Sequence, residues 1–174
     1  MSAAPLRIIG IDPGSQITGF GILDTDGRSS VHVHSGCIRL PTGDFPQRLG
    51  VIFRELDALI AAHQPAVMAI EQAFLARNAS VALKLGQARG AAICAAVNRG
   101  LDVSEYAPRL IKQAVVGSGS AVKEQVQHMV MTMLALTRRP AADEADALAA
   151  ALCHAHIGSS LGRLPQGFQR RRRR

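Results

Sequence analysis

The sequence predicts an α/β fold with a mixed five-stranded sheet flanked by helices, and two features of its pattern support this. Three short apolar runs near the amino terminus lie close together and are joined by turn-forming residues, which is typical of an antiparallel meander. Further along, strand-like and helix-like segments alternate, and strand–helix–strand units require parallel neighbours with right-handed crossovers. We therefore expect three antiparallel strands followed by parallel strands.

The first three strands are predicted from the apolar runs at residues 6–12, 18–24 and 31–40. Turn-forming residues separate these runs, with Pro13 and Gly14 after the first and Asp26 and Gly27 after the second. The second run, TGFGILD, contains two glycines, which allow another backbone to approach closely.

The remainder of the chain predicts five helices and two more strands. The helices are expected over residues 46–63, 78–98, 108–116, 122–136 and 143–156, and the strands over 66–71 and 101–106. From residue 158 the composition turns to Gly, Pro, Gln and Arg, which is typical of an unstructured segment. We expect a single domain over residues 1–157 and a basic, disordered carboxy-terminal tail over 158–174.

The formal net charge of +7 comes mainly from this tail. Lys and Arg number 20 against 13 acids, and without the five arginines at 170–174 the count is 15 against 13, or +2. A mildly basic body with a basic tail is weak evidence for a nucleic-acid partner. The three scattered cysteines do not suggest a disulfide framework or structural zinc, and no apolar run is long enough for a membrane span. We expect a cytoplasmic protein without a signal peptide.

Four acids at the ends of predicted elements are the candidates for chemistry. Asp12 and Glu71 end strands, and Asp143 and Asp146 lie three residues apart on one helix face. Singly, each has an ordinary explanation as a turn, rim or helix-terminal acid, and Glu144 is interpreted only as a helix-terminal acid. Together they could converge at one sheet edge, where oxygen ligands suit Mg²⁺ or Mn²⁺. Two such ions about 3.5–4 Å apart would promote phosphoryl displacement.

Five motifs in matching order give a specific resemblance to a known family. The segments IIGIDPGSQITGFGILD, AIEQAF, NASVALKLGQARGA, VKEQVQHMV and ADEADALAAALCHAH resemble the RuvC-type Holliday junction resolvases over residues 6–156. The resemblance implies a ribonuclease H-like fold, a homodimer, and Mg²⁺-dependent nicking of two opposed strands at four-way DNA junctions during recombination and repair. It also implies cooperation with junction-binding and branch-migration motor proteins. The carboxylate chemistry described above favours two ions per site, with Mn²⁺ able to substitute for Mg²⁺.

Residue by residue, the resemblance assigns the catalytic and metal-binding roles to four carboxylates. They are Asp12, Glu71, Asp143 and Asp146. Some members of the family carry histidine in place of the third acid, so Asp143 in this chain implies a site made only of carboxylates.

The expected DNA contacts are two lysines, an aromatic residue and an arginine. The resemblance implies that Lys112 and Lys123 contact the DNA backbone near the cut, although surface lysines are more often simply solvated. Phe74 follows Glu71 in a predicted loop and is expected to wedge between bases at the crossover, the alternative being a core contact. Arg77 is a weaker candidate for a backbone contact.

Small and apolar residues form a stripe along the predicted helix 78–98. They are Ala82, Gly86, Gly90, Ile93 and Val97. The stripe could pack onto the sheet of the same chain, and the resemblance adds a dimer contact. A two-fold dimer suits a substrate that needs two symmetric cuts.

Three alternatives to a junction nuclease remain open from the residues alone. The GIDPGS turn also resembles the phosphate loop of actin-like ATPases, but these need two lobes, which 174 residues do not supply. A ribonuclease H-like nuclease could act on structured RNA or an RNA–DNA hybrid. A non-catalytic nucleic-acid binding module would not need four converging acids and would be indifferent to chelation.

Overall fold

The computed structural model describes residues 5–72 and 78–161, and within them strands and helices follow the predicted order. The strands are β1 (Leu6–Asp12), β2 (Ile17–Thr25), β3 (Ser30–Arg39), β4 (Val67–Glu71) and β5 (Asp102–Tyr106). The helices are α1 (Phe45–His63), α2 (Ala79–Asn98), α3 (Pro108–Val116), α4 (Lys123–Met133) and α5 (Ala142–Leu161).

The strands form one mixed sheet in the order β3-β2-β1-β4-β5. β1 pairs antiparallel with β2, and β2 pairs antiparallel with β3. β4 is parallel to both β1 and β5. The predicted sheet of three antiparallel strands followed by parallel strands is therefore confirmed.

Helices cover both faces of the sheet, and alternation along each strand decides which layer a side chain meets. Ile9 of β1 and Ile70 of β4 pack in the layer formed with α1 and α2. Ile8 and Ala69, on the opposite face, pack in the layer formed with α3, α4 and α5. β1 and β4 are buried on both faces, which explains why their sequences are continuous apolar runs rather than alternating ones.

α5 approaches the sheet closely because glycines line the strands beneath it. A Cβ atom added at Gly10 would lie 2.0 Å from the carbonyl oxygen of Ala147, and one added at Gly19 would lie 1.9 Å from the carbonyl oxygen of Asp143. At Gly21 an added Cβ would lie 2.5 Å from Cδ2 of Leu148. The close backbone approach expected from the two glycines of β2 is thus confirmed.

Two helix ends differ from the sequence prediction. α4 ends at Met133, three residues before the predicted end, because Ala135 takes a left-handed conformation with φ 48° and the chain turns away. α5 continues to Leu161, past the predicted domain end at 157, and Ile157 packs against the core there. The tail residues after 161 lie outside the described residues. No helix of the described segments has the length and hydropathy needed to cross a membrane.

Replacing Gly10 by Ala tests how strictly the glycines determine the seating of α5. The added methyl group meets helix backbone, which cannot move as a side chain can, so we expect a loss of about 2–3 kcal/mol in the free energy of unfolding. Thermal unfolding should show a melting temperature lower by roughly 5–10 °C.

Gly50→Ala in α1 is the matched control for this substitution. Its added Cβ would meet only the end of the Arg54 side chain, at 3.1 Å, and alanine is the better helix former. We expect this variant to melt at or above the wild-type temperature. A native melting temperature for Gly10→Ala would contradict the glycine argument.

Candidate active site

Asp12 and Glu71 are the last residues of two parallel neighbours, β1 and β4. The register pairs Ile11 with Ile70, so the two acids follow side by side at the same edge of the sheet. By alternation, both lie on the face that α5 covers. The strands therefore bring two carboxylates together beneath the first turns of that helix.

α5 adds the other two acids to this edge. Asp146 lines a cleft of about 260 Å³ together with Asp12 and Glu71. Lys112, Lys123 and apolar residues of α3 and α4 complete its walls. Asp143 is not part of the lining, but its charge acts on both Asp12 and Asp146. The predicted convergence of strand ends and helix face is what the structure shows, with three acids in one cleft and the fourth close by.

Burial and mutual repulsion disfavour the charged form of these acids. Burial, followed by the charges of Asp146, Glu71 and Asp143, raises the pKa of Asp12 to about 7. Burial and the charge of Asp146 also raise the pKa of Glu71. Burial raises the pKa of Asp146 as well, against the opposing effect of Lys123. The site holds more negative charge than the protein alone compensates.

Two lysines supply the positive charge that faces these acids. The Nζ atom of Lys123, the first residue of α4, lies 3.6 Å from Oδ2 of Asp146. Lys112 of α3 is half-buried in the same cleft and, like Lys123, lowers the pKa of Glu71. The structure thus brings both predicted lysines to the acids. Phe74 and Arg77 lie outside the described residues, so their predicted DNA contacts stay predictions.

The donor set of the cleft fits a hard divalent cation. The three acids that line it offer only carboxylate oxygens, and these are the ligands that Mg²⁺ and Mn²⁺ prefer. Across residues 5–72 and 78–161, no three His, Cys, Asp or Glu side chains are already drawn together into a complete ligand cluster. A cation would relieve the repulsion that raises the pKa of Asp12.

Sequence reasoning missed Arg89, which supports the end of β4. This α2 residue donates from Nε to the carbonyl oxygen of Glu71 at 3.3 Å, and its guanidinium pairs with Glu105 of β5 at 2.6 Å. An arginine inside a long helix resembles an ordinary surface residue in sequence. Only the pairing of β4 with β5 shows that Arg89 ties the end of β4 to its neighbouring strand.

Glu144 lies in the first turn of α5, as expected for a helix-terminal acid, but its contacts go beyond that role. Its side chain is buried, with only 2% of the residue exposed, and it forms an ion pair with Arg138. The sequence offered one signal that could have revealed this, since Glu144 is the third residue of α5 and Arg138 lies in the loop before it. Glutamate at this position can bond back to the start of the helix.

The mixed sheet, the flanking helices and the carboxylates at the ends of β1 and β4 and on α5 define a nuclease of the ribonuclease H-like class. A family model described as crossover junction endodeoxyribonuclease RuvC matches residues 8–154. The chain belongs to this family. It is therefore an endodeoxyribonuclease that resolves four-way DNA junctions in recombination and repair, and it depends on a divalent metal.

Individual members of the family are similar to this chain over nearly their full length. A crossover junction endodeoxyribonuclease RuvC of Alkalilimnicola ehrlichii is 58% identical over 158 residues, covering 91% of this chain and 96% of the relative. One from Pseudomonas putida is 54% identical, with coverage of 96% and 95%. The solved structure of Thermus thermophilus RuvC in complex with Holliday junction substrate is 34% identical with a TM-score of 0.84, covering 89% of this chain and 96% of that one. The nuclease interpretation is confirmed over that of a non-catalytic binding module.

The raised pKa of Asp12 predicts how the metal-free protein responds to pH. The folded protein binds the Asp12 proton more tightly than the unfolded chain does, so stability falls as pH rises from the ordinary value of 3.8 through about 7. Asp12→Asn removes this penalty. In EDTA we expect the variant to melt roughly 5 °C above wild type at pH 8, and the difference should shrink toward pH 4.

Asp44→Asn serves as the control for this pH experiment. Asp44 is exposed at the start of α1, and its side chain makes no capping hydrogen bond. The control should follow the wild-type melting curve at both pH values. Equal melting temperatures for Asp12→Asn and wild type at pH 8 would show that burial and the neighbouring carboxylates do not raise the pKa of Asp12.

Proposed function

We propose that this chain cuts four-way DNA junctions by paired, symmetric nicks with Asp12, Glu71, Asp143 and Asp146 as its catalytic and metal-binding residues. The observation that carries the proposal is the single cleft in which Asp12, Glu71 and Asp146 face one another beside two lysines. The junction bound to the Thermus thermophilus neighbour supports the choice of substrate.

The four carboxylates would hold two Mg²⁺ ions, for which Mn²⁺ could substitute. Divalent ions bound by such a set stabilise the charge that develops on the phosphate and on the leaving 3′ oxygen. The acids come from two strand ends and a helix, so the sheet and its bound helix fix their relative positions. Side chains on rigid strands and helices are positioned more accurately than side chains on loops.

Lys112 and Lys123 would bring the DNA backbone into the cleft. Both face the acids, and Lys123 is largely exposed, which leaves its ammonium group accessible to a phosphate. Lys123 can then exchange its contact with Asp146 for one with DNA. Phe74 and Arg77 follow Glu71 in the sequence and remain the proposed contacts at the crossover itself.

The outward face of α2 supports a homodimer. The face turned to the core consists of buried alanines, including Ala88 and Ala92. On the outside, Leu83 and Val97 are 69% and 61% exposed, and a Cβ added at Gly86 would meet no atom within 4 Å. Small and apolar residues exposed along one helix are suited to close packing against a second copy. Within the stripe predicted from the sequence, Gly86 and Val97 are exposed, Ala82 and Gly90 are partly buried, and Ile93 packs partly against the core.

A dimer related by a two-fold axis would place two clefts on the two opposed strands of one junction. We further propose that the protein acts in the cytoplasm on junctions supplied by branch-migration motor proteins. The basic residues 170–174 would add sequence-independent attraction to DNA.

Asp12→Asn should separate binding from cleavage. Losing one carboxylate weakens the hold on a divalent ion, so we expect cleavage of a mobile four-way junction to fall at least about 100-fold while binding changes less than about 3-fold. Asp44→Asn should cut at the wild-type rate. Cleavage and binding are measured with labelled junctions, with Mg²⁺ and with EDTA, beside an RNA–DNA hybrid of the same length.

Two outcomes would overturn the proposal. Normal cleavage by Asp12→Asn would remove this acid from the site. Cleavage of the hybrid in preference to the junction would favour the ribonuclease alternative.

Gly86→Arg tests the proposed dimer face. The space around Gly86 is open in the single chain, so the fold should tolerate the long charged side chain, whereas a partner helix should not. Sedimentation equilibrium should show a dimer for wild type and a mass near 18.4 kDa for the variant. Gln47→Arg on the exposed surface of α1 adds the same charge and should stay dimeric. A dimeric Gly86→Arg would exclude this face as the interface.

A further inference from the structure

Glu144 lies between two of the proposed metal ligands in sequence but faces away from their cleft. Asp143 precedes it and Asp146 follows two residues later, all in the first turns of α5. Glu144 lines a separate cavity of about 420 Å³, formed by β3 and the loop between α4 and α5. One helical turn therefore presents carboxylates in two directions.

Hydrogen bonds from three parts of the chain satisfy the Glu144 carboxylate. The hydroxyl group of Ser35 in β3 donates to Oε1 at 2.6 Å. The guanidinium of Arg138 donates to both oxygens, at 2.5 and 3.0 Å, and the backbone N–H of Ala141 donates to Oε2 at 3.0 Å. The carboxylate thus joins the edge strand, the preceding loop and the first turn of α5.

A second layer of contacts fixes these donors. The Oγ atom of Ser35 lies 2.7 Å from Nε2 of His32. Because Ser35 gives its proton to Glu144, its oxygen must accept from the imidazole, which sets His32 with its proton on Nε2. The Ala141 bond is the half of a capping box in which glutamate at the third helical position reaches back to the residue before the helix.

A buried carboxylate is stable only where its partners hold it, so Glu144 fixes the position of the turn that carries it. On its other side this turn presses against β2, where a Cβ at Gly19 would lie 1.9 Å from the carbonyl oxygen of Asp143 and 3.1 Å from the backbone nitrogen of Glu144. The backbone between the two proposed metal ligands is therefore held from both sides.

We propose that Glu144, through its ion pair with Arg138, is a positioning residue that sets the orientation of Asp143 and Asp146 toward the divalent ions. The inference rests on the proposed metal site. Glu144 does not line the cleft of the other acids, and in this proposal it acts only by fixing the helix turn. Loosening the turn should weaken metal binding more than DNA binding.

The test uses Arg138→Ala, because the Arg138 side chain is 63% exposed and its loss leaves no cavity in the core. We expect the Mg²⁺ concentration for half-maximal junction cleavage to rise about 10-fold. Substitutions of residues that orient metal ligands in other proteins typically weaken metal binding by at least this factor. Mn²⁺ affinity of the DNA-free protein, measured by calorimetry, should fall by a similar factor. Junction binding in EDTA should match that of the control, Arg139→Ala, which removes the same charge from the neighbouring residue that contacts Gln127.

Two milder variants keep the proposal testable if Arg138→Ala folds poorly. Arg138→Lys keeps the charge but cannot bond both carboxylate oxygens as a fork, so its Mn²⁺ affinity should be intermediate. Ser35→Ala removes one hydrogen bond and should weaken Mn²⁺ binding to a smaller extent. Wild-type Mn²⁺ affinity in both variants would overturn the proposal, as would a lower melting temperature of Arg138→Ala with unchanged Mg²⁺ dependence. Failure of the metal site itself would show differently, because wild type would then bind no Mn²⁺.

Discussion

The site depends on the close packing of α5 against strand positions that carry no side chains. Gly10, Gly19 and Gly21 present no side chains to this helix, so its backbone comes within contact distance of β1 and β2. Only at that distance does Asp146 reach the cleft that Asp12 and Glu71 line. With larger side chains at these positions the helix would lie farther from the sheet, and Asp146 would be displaced from the cleft that Asp12 and Glu71 line.

The acids of the site carry negative charge that the surrounding residues neutralise only in part. Lys112 and Lys123 face the acids, yet the pKa of Asp12 is still raised to about 7. This excess charge lowers the stability of the folded protein. Cations that bound only to the folded state would restore that stability. In the proposed site the same excess charge would repel a phosphodiester, so divalent ions and the two lysines would favour its entry into the cleft.

Much of the fold and the site could be predicted from sequence because local patterns determine them. Turn residues and apolar runs predicted the meander, and the positions of Asp12 and Glu71 at strand ends predicted that they converge at one edge of the sheet. The burial of Glu144 is only partly visible in the sequence. Its position in the first turn of α5 indicates a bond back to the start of the helix, whereas its partner Ser35 is brought to it only by the packing of β3. Arg89 was missed for the same reason, because the carbonyl oxygen it holds belongs to another element.

The contacts that seat α5 fall at residues 143, 147, 148 and 151, while its acids are at 143 and 146. Each residue added to an α-helix turns everything beyond it by about 100°. A single insertion between Glu144 and Ala147 would leave either the acids or the seating contacts facing the wrong way. The number of residues in this segment is therefore constrained independently of which side chains it carries. The hairpin at residues 26–29, far from the acids, carries no such restriction on length.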